Sequence, residues 1–123
     1  MTISIKKAVI YCRTATTTTG KPDLASHSQV TECREYAKDR GYEVTKVFFD
    51  CGVSGLSEER CGMKNMLAFL RKQKEAYAVI VTTHDRLARS LEIFGKFQKL
   101  FAKMNVELAV VYDVFAAAAR RFV

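Results

Sequence analysis

Short apolar runs alternate along the chain with longer segments in which apolar residues recur every three or four positions. The first run, Ala8–Cys12, has the length and the β-branched content of a strand that is buried on both faces. Together the runs predict four strands, at Ala8–Cys12, Val44–Phe49, Ala78–Thr83 and Glu107–Tyr112. Strands that alternate with helices of about ten or more residues favour a three-layer α/β sandwich with a mainly parallel sheet of four to five strands.

The segments between the strands predict three helices. The first is expected to begin at Ser26, which stands three residues before Gln29 as in a capping box, and to end at Gly41. The second carries a buried stripe of methionine and leucine residues and is expected to end at about Glu75. The third is expected to follow Ser90, whose hydroxyl can cap it.

Composition indicates one ordinary domain. The 123 residues are enough for a single core, and 49% of them are apolar while 27% are charged. Residues 1–123 are therefore expected to form one domain. No apolar run reaches the ~18 residues of a membrane helix, and the amino terminus lacks the apolar stretch of a signal peptide. A cytoplasmic protein without a membrane partner is expected.

The net charge and the cysteines indicate which binding partners and which cell compartment are expected. The formal net charge of +7 fits a polyanion such as nucleic acid, although the same excess also occurs in proteins that bind none. The four cysteines form no C-x-x-C pair, so neither a zinc knuckle nor a redox motif is predicted. Reduced thiols fit the cytosol best, and no cofactor or metal is expected.

Four arginines, Arg13, Arg60, Arg86 and Arg89, lie in the loops that follow the first three predicted strands. Since ligands of parallel sheets bind at the carboxyl ends of the strands, the arginine side chains are expected to meet at one edge. A guanidinium group grips two phosphate oxygens at once and cannot be titrated away. The cluster therefore predicts an anion site, whereas any one arginine alone would more simply be a solvated loop charge.

These segments resemble three motifs of the serine recombinases, the resolvase and invertase family of site-specific DNA recombinases. The first family motif, Y-x-R-x-S-T, is similar to the segment with Tyr11, Arg13 and Thr16. The second, D-x-G-x-S-G followed by an arginine, is matched by Asp50, Gly52, Ser54, Gly55 and Arg60. The third, D-R-L-x-R-S, is matched in full by Asp85, Arg86, Leu87, Arg89 and Ser90, and a helical Q-x-x-x-C-x-x-Y-A pattern by Gln29, Cys33, Tyr36 and Ala37.

The resemblance implies a chemistry and also a defect in it. In the family, the serine of the first motif attacks a DNA phosphodiester, forms a 5′-phosphoserine link and releases a 3′-hydroxyl. Ala15 occupies that position here. A methyl group cannot attack phosphorus, so the chain is expected not to cut DNA. An engineered and a natural origin of Ala15 both stay open.

The resemblance also implies roles for the other site residues. The phosphate would be neutralised by arginines of all three motifs, Arg13, Arg60, Arg86 and Arg89. Arg13 would share one side of an extended segment with residue 15. Asp85 would orient or protonate a reacting group. Gln29 would contact the surroundings of the nucleophile, unless its role is confined to the capping box.

The partner that the resemblance implies is DNA, held through its phosphate backbone, with self-association into dimers or tetramers in the full-length family. The chain is expected to be truncated before the family's long dimerisation helix and separate DNA-binding domain. The alternative is a noncatalytic, degenerate recombinase-like partner that binds or modulates an active recombinase, because Ala15 permits it. A receiver domain is disfavoured, since no acidic residues follow the first strand to hold magnesium.

Overall fold

The computed structural model of the protein describes residues 6–14, 24–51 and 61–113. Within these ranges the strands are β1 Lys6–Thr14, β2 Tyr42–Cys51, β3 Tyr77–Val81 and β4 Val106–Val110. The helices are α1 Leu24–Arg40, α2 Cys61–Arg71, α3 His84–Leu87 and α4 Leu91–Lys103. The strands form one parallel sheet in the order β2-β1-β3-β4. The predicted α/β sandwich with a mainly parallel sheet is confirmed.

Strand β1 shows how the sheet is covered on both faces. Its side chains alternate between two core clusters, because successive residues of a strand point to opposite sides. Ala8 and Ile10 belong to the cluster that contains Cys33 of α1. Val9 and Tyr11 belong to the other cluster, which contains apolar side chains of α2 and α4. A strand buried on both faces needs an unbroken apolar run, and that run is what the sequence displays.

Two predicted helix ends are confirmed. The side chain of Ser90 precedes α4, and its Oγ accepts a hydrogen bond from the backbone N–H of Ile93 at 3.4 Å. Gly41 follows α1 with a φ of 77°, a left-handed conformation that a residue without Cβ adopts at little cost. These two positions fix the start of α4 and the turn from α1 into β2.

The predicted start of α1 is wrong. The helix begins at Leu24, so Ser26 lies in its first turn rather than before it. Gln29 consequently lies inside the helix, and its amide bonds to the backbone of Arg13 in β1. The spacing of serine and glutamine was correct for a capping box, but a tertiary contact uses the glutamine instead.

Other element bounds differ from the apolar runs that predicted them. Helix α2 ends at Arg71 rather than near Glu75, and the next two backbone amides bond to carbonyls three residues back, as in a turn. Strands β1 and β2 extend beyond their apolar runs, so Arg13 and Asp50 lie within strands. Helix α3 has four residues, too few for a periodic pattern, and the sequence did not predict it.

The carboxyl ends of β3 and β4 also differ slightly from the prediction. The two strands end at Val81 and Val110, although their last hydrogen bonds continue for two residues. The backbone amides of Val111 and Tyr112 donate to the carbonyls of Val81 and Thr82, both at 2.9 Å. The chain after β4 therefore stays hydrogen-bonded to the chain after β3 as far as Tyr112.

Candidate active site

The predicted site residues that the structure describes lie around the carboxyl ends of β1 and β3. Arg13 is in β1, Gln29 is in α1, and Arg89 lies between α3 and α4. Asp85 and Arg86 are in α3, which follows β3. Ala15 and Arg60 lie outside the described residues.

Arg13 and Arg86 hold the end of β1 against α3 through reciprocal hydrogen bonds. The Nε of Arg13 donates to the carbonyl of Arg86 at 3.1 Å, and its Nη2 donates to the carbonyl of Asp85 at 2.6 Å. In return, Nη1 of Arg86 donates to the carbonyl of Arg13 at 3.2 Å. Arg13 is fully buried, so these bonds are made away from water, where each unpaired group would be costly. The first and third sequence motifs are therefore in direct contact.

Gln29 completes the same joint from the other layer of the sandwich. Its Oε1 accepts from the backbone N–H of Arg13 at 3.3 Å, and its Nε2 donates to the Arg13 carbonyl at 3.1 Å. The pairing of β1 with β3 stops at Ile10 and Ile80. The side-chain amide thus satisfies backbone groups beyond the end of that ladder, which buried peptide groups require.

The carboxylate of Asp85 is kept ionised by its neighbours. It accepts a hydrogen bond from the hydroxyl of Thr83, and this bond is the largest cause of its lowered pKa. The positive charges of Arg86 and Arg13 lower the pKa further, while partial burial opposes them. A carboxyl group with a lowered pKa is a poor proton donor at neutral pH and a good partner for guanidinium groups.

Solvent reaches the arginines of the third motif but not Arg13. Arg89 is exposed and Arg86 is half-buried. Arg89 lines a cavity of about 210 Å³ together with His84, Asp85 and Phe94. The ring of His84 lies 5.6 Å from that of Phe94, and its Nε2 is 3.8 Å from Oδ1 of Asp113. An anion approaching this edge would meet the side chains of Arg86 and Arg89 first.

Asp50 has a structural role whose partners could not be read from the sequence. Its buried carboxylate accepts hydrogen bonds from the Tyr11 hydroxyl at 2.7 Å and from the backbone N–H groups of Gly62 and Met63 at 2.7 and 2.9 Å. It therefore caps the start of α2 although Cys61, the first residue of that helix, lies eleven positions further along the chain. Capping aspartates are recognised by their closeness in sequence to a helix, and that signal is missing here.

Within the described ranges, the structure contains neither a metal-ligand cluster nor a membrane helix. No group of three or more histidine, cysteine, aspartate or glutamate side chains there could hold a metal ion. No helix in those ranges is both long enough and apolar enough to cross a membrane. Cys12 and Cys33 are buried, Cys61 is exposed, and none of these three forms a disulfide.

The fold first defines the class of protein. A parallel sheet with helices on both faces, in this arrangement, is that of resolvase-like α/β catalytic domains. The family model described as the resolvase N-terminal domain matches residues 8–121. The chain belongs to this family of serine recombinases.

Solved structures of recombinase catalytic domains agree with this assignment. The C-terminal catalytic domain of ISC1926 TnpA, an IS607-like serine recombinase, is 32% identical to this chain. The match covers 86% of this chain and 67% of the other and has a TM-score of 0.70. The N-terminal catalytic domain of TP901-1 integrase is 26% identical, with coverages of 86% and 78% and a TM-score of 0.76. A resolvase family site-specific recombinase from Streptococcus pneumoniae, 23% identical with coverages of 86% and 72%, shares the fold at a TM-score of 0.71. A comparison with curated proteins gives no match.

Proposed function

We propose that residues 1–123 form the catalytic domain of a site-specific DNA recombinase that Ala15 has disarmed. The observation that carries this proposal is the hydrogen-bonded joint between β1 and α3, in which Arg13 and Arg86 each donate to the other's backbone. It brings two of the three motifs to one edge of the sheet, where a single phosphate can be held. The partner is the phosphate backbone of DNA, inside the cell, with assembly into dimers or tetramers as in the family.

The site acts on a phosphodiester by positioning it and by neutralising its charge. Phosphoryl transfer builds negative charge on the equatorial oxygens, and fixed guanidinium groups stabilise that charge. Arg86 and Arg89 are reached by solvent and contact the phosphate, with Arg60 contributing from the second motif. Arg13 and Gln29 fix the strand that leads to position 15. The backbone carbonyl of Asp85 holds the guanidinium group of Arg13, and the ionised carboxylate of Asp85 adds negative charge close to Arg86.

Position 15 decides whether cleavage follows. Alanine supplies no oxygen to form the phosphoserine bond, so the chain holds DNA without breaking it. Thr14 does not substitute for a serine at position 15, because its side chain is buried and lies on the opposite side of the strand from Arg13. The natural or engineered origin of Ala15 does not alter this chemistry.

The test is to restore the nucleophile. Ala15→Ser, fused after Val123 to the dimerisation and DNA-binding parts of a family member, is expected to become covalently attached to DNA that carries that member's site. The matched alanine fusion is expected to give none, and Ala15→Ser combined with Arg86→Gln is expected to give far less than Ala15→Ser alone. Covalent attachment of the alanine fusion would refute the proposed loss of the nucleophile.

Failure of the serine variant would favour the alternative, a degenerate partner of an active recombinase. The observation behind this second function is Ala15 itself, together with a fold that keeps its motifs in contact. A mixed assembly would then lower or redirect the recombination catalysed by the active copy. Adding the chain to an active family member and measuring its product separates the two functions.

A further inference from the structure

The solvent face of α2 carries positive charge and no negative charge. Helix α2 contains no acidic residue, and its exposed positions recur at helical spacing. Lys64, Ala68 and Arg71 lie on this face, and Lys72 continues it directly after the helix. Arg71 lies seven positions after Lys64, or about 10.5 Å along the helix axis. A cation therefore stands near each end of the helix, with a small side chain between them.

Lys46 of β2 extends the same face sideways. Its Nζ lies 5.5 Å from the ring centre of Phe48 and 5.4 Å from that of Phe69. Lys46, Ala68 and Lys72 all line one groove of about 380 Å³. The ammonium group rests on aromatic surface, which fixes its position without neutralising its charge. We call Lys46, Lys64, Arg71 and Lys72 together the cationic face.

The charges of the cationic face have no carboxylate partners among the described residues. Lys6 forms an ion pair with Glu107 and Lys7 forms one with Glu75, and these four residues lie outside the face. Helix α1, in the opposite layer, differs in that it balances its charges: its three basic residues, Arg34, Lys38 and Arg40, are matched by three acidic residues, Glu32, Glu35 and Asp39. Helix α4, which packs on the same side of the sheet as α2, also carries more basic residues than acidic ones, with three lysines and one glutamate. The excess positive charge therefore belongs to the layer of α2 and α4 and not to that of α1.

We propose that the cationic face is a second contact surface for duplex DNA, which binds the phosphate backbone alongside the candidate active site. This inference rests on the proposed function. Helix α2 begins beside Asp50, at the carboxyl end of β2, so the face starts near the edge that carries the site and runs away from it. Its length of about 10.5 Å spans roughly three phosphates of one strand, at about 3.4 Å per phosphate along the duplex axis.

A nucleic acid fits the face better than an acidic protein surface does. Protein interfaces gain much of their affinity from buried large apolar side chains. The large apolar side chains that are exposed in the described ranges are Leu91 and Tyr112, and both lie outside the cationic face. Phosphate contacts need only well-placed lysine and arginine side chains, which this face supplies.

Salt dependence tests the contact directly. Binding of the 123-residue chain to a random-sequence DNA duplex is measured by fluorescence anisotropy between about 50 and 200 mM salt. The slope of log K against log salt is expected to become shallower by about 1.8 in Lys64→Gln/Arg71→Gln, because each phosphate contact contributes about 0.9. The matched control, Arg34→Gln/Lys38→Gln, removes two charges from α1 and is expected to leave the slope unchanged.

Three results would overturn the inference: no measurable binding to the duplex, an unchanged slope for the α2 variant, or an equal change in the α1 control. The thermal stability of both variants is measured first, since these exposed side chains contribute little to folding. Arg89→Gln separates the two proposals. Suppose that Arg89→Gln leaves the slope unchanged while the α2 variant makes it shallower. The candidate active site would then not be a phosphate contact, and the inference about the cationic face would be supported.

Discussion

Gly62 stands at the start of α2, against the backbone of β2. A Cβ built at this position would lie 2.3 Å from the carbonyl oxygen of Phe49 and 2.9 Å from Cγ of Asp50. Backbone atoms cannot move aside as a flexible side chain can. Glycine is therefore required at position 62, because α2 and β2 approach each other closely there. The same hydrogen-bonded corner includes the carboxylate that caps α2.

Gly62→Ala is therefore expected to destabilise the protein by roughly 1–3 kcal/mol, measured by urea unfolding, because overpacking forces the backbone apart. Gly95→Ala is the control, since a Cβ there meets nothing within 4 Å. This second alanine lies inside α4 and is expected to stabilise the protein by about 0.5–1 kcal/mol. Equal effects of the two substitutions would contradict the close approach.

At the scale of elements, Gln29 is the link between α1 and β1. Its amide bonds to both backbone groups of Arg13, and its side chain is buried. Leucine has a similar volume but no polar atoms, so it would leave the backbone N–H of Arg13 without this acceptor. A buried polar group that loses its partner costs about 1–3 kcal/mol.

Gln29→Leu is expected to lower the free energy of unfolding by that amount and to speed amide hydrogen exchange at Arg13. Gln98→Leu makes the same replacement at an exposed position of α4 and is expected to stay within about 0.5 kcal/mol of the wild type. If the two leucine variants were equally stable, the amide of Gln29 would contribute nothing to the joint.

The elements also show where sequence patterns suffice. The apolar runs predicted all four described strands because β1 and β3 are buried on both faces, while β2 and β4 contribute apolar side chains to both core clusters. The prediction for Ser90 was correct because its capping partner is three residues away. Ser26 and Gln29 offered the same local signal, but Gln29 is engaged by β1, a contact that no local pattern contains. The motifs identified Arg13 and Arg86 as site residues. They did not predict that each guanidinium group bonds to the backbone carbonyl of the other residue.

At the scale of the whole molecule, several ionisable groups titrate differently in the folded and unfolded chain. The pKa values of Asp85 and Glu107 lie below their ordinary values, chiefly because of hydrogen bonds from Thr83 and Lys6. Their contributions to stability are present above the ordinary values of 3.8 and 4.5 and are lost as the pH falls through the folded pKa values. Both carboxylates are largely exposed, so solvent screening keeps this acid effect small.

At alkaline pH the groups that affect stability are a thiol and a phenol whose pKa values are raised in the folded state, so stability is lost as the pH rises. Burial raises the pKa of Cys33 from 9.0 to about 12, and burial together with the hydrogen bond to Glu107 raises that of Tyr42 from 10.0 to about 12. The folded state therefore holds these protons more tightly than the unfolded chain does. Their contribution is complete below about pH 9 and decreases as the pH rises towards about 12.

The melting temperature is consequently expected to be nearly constant between about pH 6 and 8 and to fall steadily above about pH 9. Cys33→Ala removes the titrating thiol while keeping a small apolar side chain against Ile80, so its alkaline fall should be shallower than that of the wild type. Circular dichroism melts at steps of pH measure both curves. Parallel curves for wild type and variant would show that folding does not raise the pKa of the Cys33 thiol, and that the loss of stability at alkaline pH comes from Tyr42 or from other groups.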